Sequence, residues 1–484
     1  MMRRLLALAL FAALPAVHAA LPEAVSRQLD AGKLPPEALG ALVLRGDQVL
    51  LEHNSTRAMS PASTMKLLTT LVGLEQLGPV FRGRTEMRTA ARVSHGVLRG
   101  DLIVRGGADA DLNAAALEHM LQSLRNQGIT KIAGNLVFDR HLFEPARLDL
   151  GVAPFDEGPE WRYNVIPDAL LINTNLLEIE LRASDERLQL AMAPAMEQVS
   201  VVSDMALVDA DCAKWEAGWK PPEVKRDWRG VLKVILHGSF PRNCARSVNL
   251  NVLDRHDYLD RLLRASWRRM GGSITGETIE AATQSETRVL AEHVSRTLPE
   301  LVRDTNKLSD NTLARTIYLS LGSLAADPAQ GSRALAPEAG VPTLARADAA
   351  VRAWLRAKGI ADDALVIENG SGLSRSEAIS PAQMAAVLQA GMRSQWAPEY
   401  IASLPIVTMD GTMRRRLKDS VAATRARLKS GTLNGVTAVA GYVPDANGEP
   451  CIVVAFMNHS QVGGGAGAAV LDALVDWVAR SGAQ

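Results

Sequence analysis

The sequence predicts an α+β protein: one antiparallel sheet flanked by helices and interrupted by a β-rich insert. Three observations predict it. Strand-like runs stand near both chain ends, helical apolar periodicity fills the stretches beside them, and from about Phe81 to about Thr283 the texture changes to short β-like pieces parted by polar turns. Strands at the two ends with helices between are most economically joined in one sheet that the helices cover.

Taken in order, the chain opens with MMRRLLALALFAALPAVHAA, which has a basic start (Arg3, Arg4), a short apolar core and a small-residue end. This is the pattern of a secretory signal peptide; Val17 and Ala19 fit the cleavage rule, so residues 1–19 are expected to be removed. No later run approaches the ~20 apolar residues of a transmembrane helix. Export to the periplasm of a Gram-negative cell is the expected location. ALGALVLRGDQVLLEHN reads as two strands around the turn residues Gly46 and Asp47. In SPASTMKLL, Ser60 is expected to cap a helix and Pro61 to occupy its first turn, where a missing N–H costs nothing. The apolar pattern then runs from Met65 to Leu77, and Gly78-Pro79 stops it.

The insert follows, with strand candidates such as GVLRGDLIVRGG, KIAGNLVFD and GVLKVILHGSF, one helix in AAALEHMLQSLRNQG and another near DYLDRLLRASWRRMGG. The expected organisation is a split domain of residues 20–82 and 284–484, an inserted β-rich domain of 83–174 and 247–283, and a nested smaller subdomain of 175–246. Helical patterns return in SDNTLARTIYLSLGSLA, ADAAVRAWLRAKG and SPAQMAAVLQAGM. Three strand candidates, RLKSGTL, VTAVAGYVP and CIVVAFMNH, precede a closing helix, AAVLDALVDWVAR.

Composition narrows the function. With 47% hydrophobic residues the chain can bury more than one core, and 53 basic against 53 acidic residues leave no field for nucleic acid or an anionic membrane. Three cysteines in an oxidising compartment permit one disulfide. Cys451 lies in the apolar run CIVVAFM, which favours Cys212 and Cys244 as the pair, although spacing alone leaves the connectivity open. Nine histidines show no clustered spacing, so neither a metal site nor a Ser-His-Asp triad is supported, and no cofactor is expected.

The chemistry concentrates in three short motifs. Residues three apart share a helix face, so Ser63 Oγ and Lys66 Nζ can meet. A serine hydroxyl needs a base, and a neutral lysine can serve. Lowering a lysine from ~10.4 to around 7 or 8 corresponds to roughly 4 kcal/mol, which burial and a second cation could supply. Of the eleven lysines only Lys66 has serine at −3, and only Lys429 opens a Lys-[Ser/Thr]-Gly triplet, LKSGTL. Between them stands Ser309-Asp310-Asn311 at the start of a helix. A second Ser-x-Asn, SVN at Ser247, lies inside the insert and reads as structural. The order Ser-x-x-Lys, Ser-x-Asn, Lys-Ser-Gly is that of β-lactamases and penicillin-binding proteins.

Here the chain resembles the penicillin-binding proteins, and among them the low-molecular-mass D-alanyl-D-alanine carboxypeptidase/endopeptidases with a large insert between the first two motifs. GDLIVRGGADADL, YNVIPDALLINTN, ENGSGLSRSEAISP, SLPIVTMDGTMRRR and KSGTLNGVTAVAGYV carry the resemblance over nearly the whole chain. It implies a penicillin-recognising serine transpeptidase/β-lactamase-like fold and a serine D,D-peptidase that works through an acyl-enzyme. Ser63 would be the nucleophile and Lys66 its base; Ser309 would relay a proton to the departing D-alanine, and Asn311 would hold the substrate amide. Lys429 would keep Lys66 neutral by like-charge repulsion and bind the terminal carboxylate with Ser430 and Thr432. The backbone N–H groups of Ser63 and Thr432 would form the oxyanion hole. Ser430 departs from the commoner threonine but keeps the hydroxyl.

Arg375 in NGSGLSR is a candidate partner for acidic groups of the peptide, against the plainer reading of a glycine-rich turn. Asp156 in APFDEGPEW is a candidate for a free amine on the cross-linking diamino acid. VGGGAGAAV lacks the Gly-Lys-[Ser/Thr] of a phosphate loop and reads as a turn. Expected partners are peptidoglycan stem peptides and β-lactams, with room for peripheral membrane association and a homodimer. A β-lactamase or esterase on the same constellation, and a binding scaffold with catalysis lost, are the rival readings.

Overall fold

The structure, a computed structural model of the 484-residue chain, describes residues 20–151, 158–336, 338–363 and 365–482. The stretch read as a signal peptide, residues 1–19, lies outside the described residues. The hairpin near the N-terminus forms as β1 (Leu39–Arg45) and β2 (Gln48–His53), and the three C-terminal runs form β3 (Arg427–Leu433), β4 (Val436–Pro444) and β5 (Pro450–Asn458). They make one sheet in the order β2-β1-β5-β4-β3, antiparallel throughout. The first strand thus lies against the last, with Leu39 opposite Met457 and Arg45 opposite Cys451.

Strands β4 and β5 are apolar on both faces, which explains why both faces are covered. Ala438, Ala440, Tyr442, Val454 and Phe456 enter one buried cluster with the helices Lys66–Leu77, Leu298–Lys307, Asn311–Leu321 and Pro381–Arg393. Val439, Val443, Val453 and Ala455 enter another with the helices Glu23–Ala31 and Ala466–Arg480. β3 is left as an edge strand beside the first group of helices.

The insert has its own apolar cluster. Its main sheet runs Thr278–Glu280, Leu136–Asp139, Leu102–Gly107, Arg84–Thr89, Arg288–Val294, and Leu136–Asp139 pairs in parallel with both neighbours. The helices Ala114–Asn126 and Arg255–Arg269 cover it, capped by the side chains of Asn113 and Asp254. The smaller sheets built on Leu177–Ala183 and Leu232–Pro241 join the same cluster, and Cys212 is bonded to Cys244 while Cys451 is a buried free thiol.

Beneath the insert sheet, Asp168 is fully buried between two arginines, at 2.9 Å from Arg140 and 2.8 Å from Arg255. Burial raises its carboxyl pKa, but the two guanidinium groups outweigh burial and hold it below the usual carboxylate range. Asp168→Ala leaves two buried cations without their common partner, a change that typically costs about 3–5 kcal/mol. A fall of that size in the unfolding free energy from urea titration is expected, followed by the fluorescence of the insert tryptophans Trp161, Trp215 and Trp219, which pack on one another. Because the folded pKa is depressed, this contribution is full at neutral pH and is lost as acid protonates Asp168.

Candidate active site

Four chain segments meet at the exposed edge of β3. The first is the start of the Lys66–Leu77 helix, where one expectation is corrected. Ser60 does not cap this helix: its N–H donates to Asn458 Oδ1 at 2.8 Å and its carbonyl accepts from Asn458 Nδ2 at 3.0 Å, so it is tied to the end of β5. Residues Ala62–Met65 instead form a tight 3₁₀ turn that leads into the α-helix at Lys66, and no side chain caps the helix there. Ala62, just before Ser63, has φ +43°, a left-handed conformation that a residue with a Cβ holds only when its surroundings impose it. Gly372 and Gly431 supply those surroundings. A Cβ on Gly372 would sit 1.8 Å from the Ala62 carbonyl oxygen, and one on Gly431 would sit 2.9 Å from Ser63 N. Glycine in the Lys-Ser-Gly triplet is therefore what lets β3 pass against Ser63.

Lys66 lies on the next turn, with no exposed surface. Its Nζ is 2.9 Å from Ser63 Oγ, 2.7 Å from Asn311 Oδ1 and 2.5 Å from the Ser371 carbonyl oxygen. Asn311 Nδ2 donates to the Tyr163 carbonyl at 3.0 Å, which fixes the amide with its oxygen towards the lysine. Two of the three partners can only accept. A neutral amine here gives its two N–H bonds to Asn311 and Ser371 and directs its lone pair at the Ser63 hydroxyl. Burial is the largest cause of a Lys66 pKa lowered to about 7; Asp310 and Glu377 oppose it, and Arg315 adds a smaller push down.

The second segment turns between the helices Leu298–Lys307 and Asn311–Leu321. Ser309 has φ +59°, and Asp310 caps the second helix by accepting from Leu313 N at 2.9 Å. The third is β3, where Lys429 is also fully buried and its Nζ donates to Ser309 Oγ and to the Ser430 carbonyl, each at 2.8 Å. The Lys429 pKa is well below the ordinary value, first through burial and then through repulsion from Lys66. The expected repulsion thus acts on Lys429, whereas Lys66 is held down by burial with a smaller push from Arg315. Ser430 and Thr432, two apart on a strand, share one face. Both line a groove of about 520 Å³ with Ser63 and Ser309.

The fourth segment is the turn around Asp410. Lys307 Nζ donates to Asp410 Oδ2 at 2.5 Å and to the Leu404 carbonyl at 3.1 Å, binding the turn to the end of the helix that leads into Ser309. Thr412 then accepts from Ser430 Oγ at 2.7 Å. The loop Gly463–Gly465, read from sequence as a turn, lines the far end of the groove. Arg375 is exposed and donates to the Asn434 carbonyl at 2.6 Å, where the chain leaves β3. Asp156 lies outside the described residues.

Sequence reasoning missed Ser371, Thr412 and the Tyr163 carbonyl. Two of these act through a main-chain oxygen, for which side-chain identity carries no signal; Thr412 lies within SLPIVTMDGTMRRR, a stretch that the resemblance marked without assigning it a role. Among the described residues no three His, Cys, Asp or Glu side chains are placed to hold a metal ion, and no helix is long and apolar enough to cross a membrane.

The helix-covered antiparallel sheet, with a serine and a buried lysine at the head of one helix and a second lysine on the edge strand, defines the penicillin-recognising serine hydrolases. The chain belongs to the D-Ala-D-Ala carboxypeptidase 3 (S13) family, whose model matches residues 21–481. It is similar to the D-alanyl-D-alanine carboxypeptidase DacB of Haemophilus influenzae, 26% identical over 438 residues that cover 86% of this chain and 84% of the relative. A D-alanyl-D-alanine carboxypeptidase of an Actinomadura species is 26% identical over 441 residues, 88% of this chain and 78% of that one. Among solved structures, the crystal structure of penicillin binding protein 4 (dacB) from Haemophilus influenzae shares the fold, with a TM-score of 0.74 at 24% identity over 94% of this chain and 99% of that one.

Proposed function

We propose that Ser63 is the acylated nucleophile of a serine D,D-peptidase that acts on peptidoglycan stem peptides ending in D-Ala-D-Ala. One observation carries the reading: Lys66 is buried with two carbonyl acceptors that leave its lone pair facing the Ser63 hydroxyl. As Ser63 Oγ attacks the carbonyl carbon of the penultimate D-alanine, its proton passes to Lys66 Nζ. The developing oxyanion is held by the N–H groups of Ser63 and Thr432, donors worth ~3 kcal/mol each in such reactions. Collapse breaks the C–N bond, and Ser309 passes a proton to the departing nitrogen. Water then cleaves the ester with the same base, freeing Ser63. Asn311 holds the substrate amide, while Lys429, Ser430 and Thr432 take the terminal carboxylate, whose charge favours the ammonium form of Lys429. Arg375 and Asp156 are proposed as contacts for the rest of the peptide.

Carboxypeptidase and endopeptidase action share this acyl-enzyme and differ only in the leaving group. Haemophilus penicillin binding protein 4 has been crystallised with a β-lactam, which supports acylation of this chain by the same class of compound. The leader-like pattern of residues 1–19 supports export to the periplasm as the working location. The test is incubation with benzylpenicillin and with a pentapeptide ending in D-Ala-D-Ala. A long-lived adduct on Ser63, found by peptide mass spectrometry, together with released D-alanine is the expected result. Rapid penicillin turnover without D-alanine release would favour a β-lactamase, and inertness towards both would favour a scaffold.

A further inference from the structure

Among the described residues, Glu377 is the most completely enclosed carboxylate near the site, with 1% of its surface exposed. The strand-like pairs Val366–Ala378 and Met59–Ile379 close the chain around it, so residues 368–377 form a loop with the glutamate inside. Its Oε1 accepts from the backbone N–H groups of Glu368, Asn369 and Gly370 at 3.1, 2.9 and 2.8 Å, and its Oε2 from Gly372 at 2.6 Å. Successive N–H groups converging on one anion form a nest that favours the ionised carboxylate, while burial acts more strongly the other way and raises the carboxyl pKa above its ordinary value. Gly370 and Gly372, at φ +71° and +77°, provide the backbone turns this requires.

The residue between these two glycines is Ser371, whose carbonyl meets Lys66 Nζ at 2.5 Å. Gly370 is tied to the same helix through its own carbonyl, which accepts from Thr69 Oγ1 at 2.6 Å. Pulling both flanking N–H groups inwards towards Glu377 is what leaves the Ser371 carbonyl directed outwards at the lysine. We propose that Glu377 is a positioning residue for the acylation step: it folds residues 368–372 so that the Ser371 carbonyl orients Lys66. This rests on the reading of Lys66 as the base.

The charged groups around this pair are few. Lys66 faces Asp310 and Glu377, which favour its ammonium form, and Arg315, which opposes it; Lys429 is the other buried amine beside it. Arg315 in turn feels Glu377 and Glu368. Removing the Glu377 charge therefore makes protonation of Lys66 less favourable, and the acid limb of acylation moves to lower pH. Glutamine would also place an NH₂ donor against one of the N–H groups that the carboxylate now accepts, so the turn opens.

The experiment measures acylation by a chromogenic β-lactam on both sides of pH 7 for wild type, Glu377→Gln and Glu377→Asp. Glu377→Gln is expected to lose about 10- to 100-fold in plateau rate, the scale of a misplaced reacting group, with its acid limb displaced to lower pH. Glu377→Asp keeps the charge but shortens the reach, so its rate falls while its limb stays at the wild-type position. Equal losses in both variants with unmoved limbs would reduce Glu377 to a structural role and overturn the proposal, as would two variants that match wild type. Amide hydrogen exchange on the wild type gives an answer that does not depend on variants folding. Protection of residues 368, 369, 370 and 372 is expected, and fast exchange there overturns the proposal. A wild type that is never acylated at Ser63 defeats the underlying reading; an acylated wild type with indifferent variants defeats this proposal alone.

Discussion

Ser63→Ala is expected to abolish covalent labelling by a fluorescent penicillin and to lower D-alanine release by about 10⁴-fold or more, because the only atom that forms the ester is gone. The substitution is a sharp test because the site holds two hydroxyl–amine pairs of nearly the same geometry. Ser309 Oγ lies 2.8 Å from buried Lys429, as Ser63 Oγ lies 2.9 Å from buried Lys66. What separates them is the direction of the amine. Lys66 has two carbonyl acceptors besides its serine, whereas the hydrogen bonds of Lys429 are to Ser309 and to the adjacent Ser430 carbonyl. Gel labelling that survives in Ser63→Ala, with the adduct mapped to Ser309, would reverse the assignment.

Lys66→Met carries the second large effect. Loss of a positioned base typically reduces proton-transfer catalysis by about 10²–10⁴-fold, and the upper end is expected here because among the described residues no histidine lines the groove to take over. The pH profile gives the sign. With a Lys66 pKa lowered to about 7, the wild-type base is neutral above that value, so acylation rises through pH 7 and is lost below it; the variant should show a low, flat profile there. Its stability should not fall in step. A buried lysine whose folded pKa lies below its unfolded value destabilises the protein while the pH is low enough to charge the unfolded form, a term on the order of a few kcal/mol at neutral pH. Methionine removes that term but leaves the Asn311 and Ser371 oxygens short of a donor, so a melting temperature at or above wild type is expected from calorimetry. A variant that acylates at the wild-type rate would remove Lys66 from the mechanism.

Much of the sheet is legible in the sequence because each of its strands advertises itself locally. VTAVAGYVP is apolar but for Thr437, CIVVAFM is apolar throughout, and such short runs between turn residues read as central strands covered on both faces. The closing helix and the helix of SPAQMAAVLQAGM have equally plain periodicity, the latter with Ser380 and Gln383 in a capping box. The start of the Lys66 helix misled because Ser60-Pro61 has the composition of a cap, while Asn458, almost four hundred residues later, claims the Ser60 backbone. The bond between Cys212 and Cys244 is likewise a property of the fold, since spacing does not say which sulfurs meet.

By itself the sequence determined which residue types are available to the reaction, their order, and that Ser63 and Lys66 share a helix face, since three-residue spacing is a local property of the backbone. The tertiary structure decided the protonation of Lys66 and the direction of its lone pair. Both arise from groups brought in from far along the chain, namely the Asn311 amide oxygen, the Ser371 carbonyl and the enclosing apolar walls. Desolvation and Coulomb forces act through space, so no stretch of neighbouring residues around Lys66 can encode them.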